Sequence, residues 1–201
     1  MLVLPSGDDA VLLEFDSLEE VRSAFSVLDA APISGVLDVV PAARTIMLRL
    51  DPQRRGEPVL PAGLDLAHAD PGVEKPAVTI TVDYTGPDLT DLADLLGLSP
   101  ERLVGIHTSL EWTSAFVGFA PGFAYLVAEG SELLVPRRET SRPRVDAGSV
   151  GLAGEFTGVY PRESPGGWQL IGHTDAVLWD LASTPPSLLT PGTRVRFEAR
   201  R

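Results

Sequence analysis

The chain has 201 residues, a hydrophobic fraction of 44% and no cysteine, enough for a buried core but excluding a disulfide framework, a thiolate nucleophile and a cysteine metal site. A net charge of −12 opposes binding to nucleic-acid phosphates and anionic membranes. No apolar run reaches the ~18 residues of a bilayer span, and Met1-Leu2-Val3-Leu4 lacks the basic flank of a signal peptide, so a cytoplasmic protein without nucleic-acid or membrane partners is expected.

In chain order, residues 10–15 read as a strand, and Ser17-Leu18-Glu19-Glu20 is a capping box opening a helix to about residue 28. Leu18, Val21, Ala24, Phe25 and Leu28 give that helix one apolar face. Residues 36–40 and 45–50 suggest a hairpin about Pro41-Ala42-Ala43, and residues 60–67 a second short helix. Strand, helix, hairpin and helix predict a small α+β domain with helices on one face of an antiparallel sheet. The stretch 51–76, rich in proline, glycine and charge, ends in a boundary between Pro71 and Pro76, which gives domains over 1–74 and 75–201. The only lysine, Lys75, falls in this linker, where a solvated charge is the simplest reading.

The second domain opens with a strand over 78–84. Two helices follow: one over 88–96 closed by Gly97, and one begun by Ser99 at the N-cap with Pro100 at N1. After His107 the helical signals stop. Short apolar segments at 111–117, 123–127, 132–135, 149–153, 156–160, 168–171, 176–179 and 194–197 alternate with glycine-proline turns, the pattern of a β-barrel or sandwich.

Two runs carry the functional signal: Gly118-Phe119-Ala120-Pro121-Gly122-Phe123-Ala124-Tyr125-Leu126, and Glu163-Ser164-Pro165-Gly166-Gly167-Trp168-Gln169-Leu170-Ile171-Gly172. Prolines fix the backbone, glycines allow positive φ or close approach, and aromatics supply rigid walls, which together describe a pocket. In the second run, consecutive glycine amides suit an anion, Trp168 stacks on a planar ligand and Gln169 reads an amide or carboxylate, with Ser164 alongside. A structural turn around a core tryptophan is the competing reading. Arg137, Arg138, Arg142 and Arg144 place four guanidinium groups in eight residues. They suit a substrate anion or an acidic surface, with Arg144, stiffened by Pro143, favoured for a fixed role. His107 either caps its helix or enters a cleft as a proton carrier. Ser149, in Gly148-Ser149-Val150-Gly151, lacks the spacing of a nucleophile elbow and reads as a turn or pocket hydroxyl. No Walker A loop and no His-x-x-x-His pair occurs, and no metal site is expected.

These motifs, with Pro136-Arg137-Arg138, Pro143-Arg144, Ala147-Gly148-Ser149-Val150-Gly151 and Thr157-Gly158-Val159-Tyr160-Pro161, resemble the family of the 5-oxoprolinase B subunit (PxpB), KipI and allophanate hydrolase subunit 1. The resemblance is dense in the second half; the first half matches in length and layout. It implies a ferredoxin-like α+β domain followed by a mainly-β cyclophilin-like barrel. It further implies a PxpC/KipA-like barrel partner, a PxpA-like third subunit, and ATP used at the level of the complex to open 5-oxoproline to glutamate. The site it implies is lined by Phe119, Pro121, Gly122, Phe123, Tyr125, Arg144, Ser149, Ser164, Gly166, Gly167, Trp168 and Gln169, with His107 as the nearest proton carrier. A KipI-like inhibitor that docks on a histidine kinase is the alternative, and allophanate hydrolysis the third. Four positions depart from the family pattern: Trp112 replaces tyrosine, Asp146 proline, Phe156 glutamine and His173 arginine. The change at Phe156 removes an amide donor and acceptor.

Overall fold

The computed structural model describes residues 1–30, 33–53 and 77–200. The expected linker boundary, Lys75 and the helix expected at 60–67 lie outside the described residues. The chain divides into two compact units, Met1–Glu74 and Lys75–Arg201.

The first unit is built from β1 (Leu2–Ser6), β2 (Ala10–Glu14), α1 (Leu18–Ala30), β3 (Val36–Pro41) and β4 (Thr45–Leu50). Its four strands form an antiparallel sheet in the order β1-β2-β4-β3. The capping box forms: Ser17 Oγ accepts the Glu20 N–H at 3.2 Å, and the Glu20 carboxylate reaches back to the Asp16 N–H at 3.2 Å. Val21, Ala24 and Leu28 of α1 pack with Leu13, Phe15, Ile46 and Leu48 in one core. β1 is an addition to the expected elements. Its Leu-Val-Leu-Pro run does not alternate, and what holds it is a five-residue register with β2.

The second unit begins with β5 (Val78–Val82), α2 (Leu89–Leu95) and α3 (Pro100–Ser109). Ser99 caps α3 as its sequence predicts, accepting the Arg102 N–H at 3.2 Å, with Pro100 at the first helical position. Strands β6 (Trp112–Val117), β7 (Ala124–Val127), β8 (Arg142–Val145), β9 (Ser149–Ala153), β10 (Phe156–Val159), β11 (Ser164–Gly166), β12 (Gln169–His173) and β13 (Arg194–Ala199) follow. Seven of the strands in this unit form one sheet in the order β12-β9-β10-β7-β6-β13-β5, while β8 and β11 make a separate ribbon.

The two ends of the seven-stranded sheet meet. Asp83, just past β5, exchanges two 2.8 Å backbone hydrogen bonds with His173 at the end of β12, so the sheet nearly closes into a barrel. Of the expected strands, 132–135 and 176–179 reduce to single bridges, Val135 with Gly154 and Trp179 with Ser187. β8 and β11 escape a sequence reading because Arg-Pro-Arg and Ser-Pro-Gly carry turn residues rather than strand formers.

The seam leaves no room for a side chain at Gly86, three residues past Asp83. Gly86 donates its N–H to the Ile171 carbonyl at 3.2 Å, and a Cβ there would strike the backbone of Leu170 and Ile171. Backbone atoms cannot swing away as a flexible side chain does. Gly86→Ala is therefore expected to destabilise the second unit by at least about 2 kcal/mol, read from the urea midpoint at unchanged m-value.

Candidate functional site

The second unit contains two apolar clusters. One fills the barrel around Ile80, Val82, Leu103, Trp112, Leu126, Val150, Ile171 and Phe197. The other is largely aromatic and joins Phe123, Tyr160 and Trp168 to Ala120, Val145, Ala153 and Leu170. Phe123 is its hub, with ring centroids 5.3 Å from Phe119, 5.1 Å from Tyr125, 5.4 Å from Tyr160 and 5.4 Å from Trp168, all edge to face.

A cavity of about 440 Å³ opens on this second cluster. Of the residues expected to bind a ligand, Phe119, Phe123, Tyr125, Gly166, Gly167 and Trp168 line it. Arg137, one of the four arginines suited to an anion, lines it too, and so do Phe156, Tyr160 and Pro165, which were not expected there, along with Val135, Ala153 and Gly154. In the sequence Tyr160 stands out only as part of a motif and Phe156 only as a departure from one, so neither carries a site signal of its own. Trp168 reconciles its two readings: it is 7% exposed, packs in the aromatic cluster and presents the rest of its surface to the cavity. Phe119 stands at the rim, 57% exposed, with φ at 65°, a left-handed conformation that non-glycine residues rarely adopt. Burial pushes the Tyr125 and Tyr160 hydroxyls above their ordinary range, with the Arg137 guanidinium acting in the opposite direction on both.

Several expected site residues lie elsewhere. Pro121 and Gly122 line a neighbouring groove with Trp179 and Ser187, and only Phe119 is common to both depressions. Ser149 is buried in β9, where its carbonyl accepts the Tyr160 N–H at 2.9 Å. Ser164 is buried as well and turns its hydroxyl to the Arg162 carbonyl at 3.2 Å. Gln169 donates from Nε2 to the Pro136 carbonyl at 3.2 Å, so its amide holds the chain beside Arg137 and does not line the cavity.

The arginine segment also sorts differently from expectation. Arg144, favoured as the anion-binding group, bonds Asp146 at 3.1 Å and Glu163 at 2.9 Å on the surface. Two nearby carboxylates neutralise it, and it is absent from the cavity lining. Arg138 and Arg142 converge on Oδ1 of Asp88 at 2.8 and 2.6 Å. The Asp88 side chain is only 4% exposed, and its other oxygen accepts the Leu170 N–H at 2.7 Å. Asp88 occupies the N-cap of α2, yet its carboxylate makes no capping bond. These three long-range donors occupy it instead. Among the described residues no carboxylate pairs with Arg137.

The structure also removes His107 from the cavity. It is completely buried in the barrel, with its ring centroid 4.5 Å from that of Phe197 and 5.2 Å from that of Trp112. Its Nδ1 lies 2.7 Å from the Tyr84 hydroxyl and its Nε2 2.9 Å from Thr157 Oγ1. Thr157 donates its own proton to the Gly151 carbonyl at 3.1 Å, so it accepts from Nε2–H, and Nδ1 accepts from Tyr84. That assigns a neutral imidazole with both nitrogens satisfied. Desolvation lowers its pKa to about 3. A histidine so placed is structural, and the proton-carrier role expected of it is corrected.

Residues 1–189 match the carboxyltransferase domain family, subdomain C and D. The 5-oxoprolinase B subunit of Bacillus subtilis (strain 168) is 35% identical over 95% of this chain and 89% of its own length. The protein of the same name from Escherichia coli O157:H7 is 52% identical over 56% of this chain and 51% of its own. Among solved structures, TTHA0988 superposes with a TM-score of 0.78 at 36% identity over 96% of this chain, which spans 40% of the TTHA0988 chain.

Two outcomes follow from these geometries. Asp88→Asn leaves two guanidinium groups without their shared counter-charge and is expected to cost about 3 kcal/mol in denaturant unfolding. For His107, the folded pKa of about 3 lies below the unfolded value near 6.5, so the unfolded chain binds more protons in between. Its contribution to stability is complete above about pH 6.5 and is lost as the pH falls towards 3. The ring carbon shifts of His107 in NMR are expected to stay constant from pH 8 to 5.

Proposed function

The chain belongs to the carboxyltransferase domain family, subdomain C and D, as its match over residues 1–189 shows, and we propose that it serves as the B subunit of an ATP-dependent 5-oxoprolinase. The observation that carries this reading is the aromatic cavity, read together with a 35% identical relative that matches almost end to end. The complex opens the lactam of 5-oxoproline with water and ATP, giving glutamate, ADP and phosphate. With this assignment go the finer fold names, ferredoxin-like for 1–74 and cyclophilin-like for 75–201, and a cytoplasmic location. Among the described residues no helix is long and apolar enough to cross a membrane.

The role of this chain is to hold the lactam. Phe119, Phe123, Phe156 and Trp168 supply apolar walls to the ring, and the protonated hydroxyls of Tyr125 and Tyr160 are hydrogen-bond donors at the same cavity. Among the described residues neither a histidine nor a carboxylate lines it, so the groups that move protons at the lactam come from a partner. We place ATP outside this cavity. A triphosphate needs several cations, while of the four arginines at 137–144 three are committed to carboxylates. ATP binding is therefore assigned to a different component of the complex, and a cavity of about 440 Å³, larger than one five-membered lactam needs, leaves room for a second wall. We take that wall to be a PxpC/KipA-like barrel, with a PxpA-like protein completing the complex.

The isolated chain is expected to be inactive. ATP- and 5-oxoproline-dependent glutamate release is expected once the two partner proteins are added. Equal activity from the partners without this chain would sink the assignment, and a pull-down that recovers a histidine kinase and no related barrel protein would replace it with the KipI-like reading.

A further inference from the structure

We propose that Arg137 is the anion subsite of the aromatic cavity, taking the carboxylate of a small ring-shaped monocarboxylate whose ring lies against the Phe123 and Trp168 walls. Only the choice of 5-oxoproline as probe rests on the function proposed above; the subsite itself rests on placement and on the fate of the neighbouring cations.

Arg137 lines the cavity, and its Nη2 lies 3.5 Å from the position a Cβ would take on Gly167. The guanidinium thus lies beside Gly167 at the cavity wall. Its neighbours in sequence are fixed from both sides. The Pro136 carbonyl accepts from Gln169 Nε2 at 3.2 Å, and the Arg138 N–H donates to the Gly167 carbonyl at 2.9 Å. The Arg138 side chain is in turn anchored on buried Asp88. Residue 137 is therefore presented by a backbone clamped to the very run that forms the cavity wall.

The charge balance points the same way. Arg138, Arg142 and Arg144 each have a carboxylate partner, whereas among the described residues Arg137 has none. No acidic residue among those described lines the cavity to neutralise it. A guanidinium offers two parallel N–H donors that match a carboxylate, and beside apolar walls that match favours a ring bearing one acid over the same ring without it.

The test follows the backbone amides of Gly166 and Gly167 and the Trp168 indole N–H by NMR in the full chain. The protein is titrated with 5-oxoproline or with 2-pyrrolidinone, the same lactam lacking the carboxylate. Wild type is expected to bind 5-oxoproline more tightly than 2-pyrrolidinone. Arg137→Gln, with an otherwise unchanged spectrum, is expected to weaken 5-oxoproline by about 10- to 100-fold, the range for losing a charged hydrogen-bonding partner, and to leave 2-pyrrolidinone within about twofold. If Arg137→Gln leaves 5-oxoproline affinity unchanged, the subsite is overturned while the lactam reading stands. If 5-oxoproline causes no shifts but benzoate does so in an Arg137-dependent way, the subsite stands and the substrate assignment falls. If neither carboxylate shifts the three reporters, the subsite is overturned.

Discussion

The second unit depends on one buried carboxylate. The partners of Asp88 are Arg138, Arg142 and the Leu170 N–H, which lie 50, 54 and 82 positions further along the chain. Together they draw the start of α2, the arginine segment and β12 to one point. Removing a carboxylate from water costs several kcal/mol, and the cost is offset here because both oxygens are used and two of the three donors are cationic. The Asp88 N–H donates to the Leu170 carbonyl at 3.0 Å, so the same residue grips β12 by side chain and backbone. β12 carries Gln169 and follows directly on Trp168. The position of the cavity wall is in this sense a consequence of where one aspartate is buried.

The cavity is equally a consequence of packing. Its aromatics form a cluster apart from the barrel core, and their edge-to-face arrangement about Phe123 leaves a concave surface that flat stacking would fill. Gly166 sits where a Cβ would collide with the Tyr160 hydroxyl, so the glycine of the second run is required for that tyrosine to approach the wall. At the rim, Phe119 keeps a left-handed backbone that costs about 1 kcal/mol or more. The hydrogen bond that closes its turn runs from the Ala120 N–H to the Gly118 carbonyl at 2.7 Å, and the next turn is closed by the Phe123 N–H on the Ala120 carbonyl at 2.9 Å. An exposed aromatic held in a strained turn beside a cavity is better explained by what it contacts than by what it stabilises.

What can be read from the sequence divides by the range of the interaction. Local signals are legible: the Ser17 capping box, the Ser99-Pro100 start of α3, and the alternation of β5 all depend on residues a few positions apart. The glycine-aromatic runs announce a pocket because glycine and proline act on their own backbone. Long-range pairing is not legible. Asp88 looks like a helix cap, and nothing nearby in sequence says that Arg138 and Arg142 take it instead. The pairing of Arg144 with Asp146 and Glu163 is hidden for that reason: a stiffened neighbour is a local property, whereas a carboxylate partner is a property of the folded chain. His107 is misplaced in the same way, since its partner Thr157 lies 50 residues on.

Among the described residues the cavity offers walls, two protonated phenols and one guanidinium without a carboxylate, and neither a histidine nor a carboxylate lines it. The histidine inside the barrel is neutral and fully bonded, and the buried Asp88 carboxylate is saturated by arginines. Neither can be released for proton transfer without breaking the packing that places the cavity. Chemistry and architecture therefore compete for the same groups in this chain, and architecture has taken them. Under the function proposed above, this chain orients the cyclic acid and a partner surface brings the proton donor and acceptor to the open side.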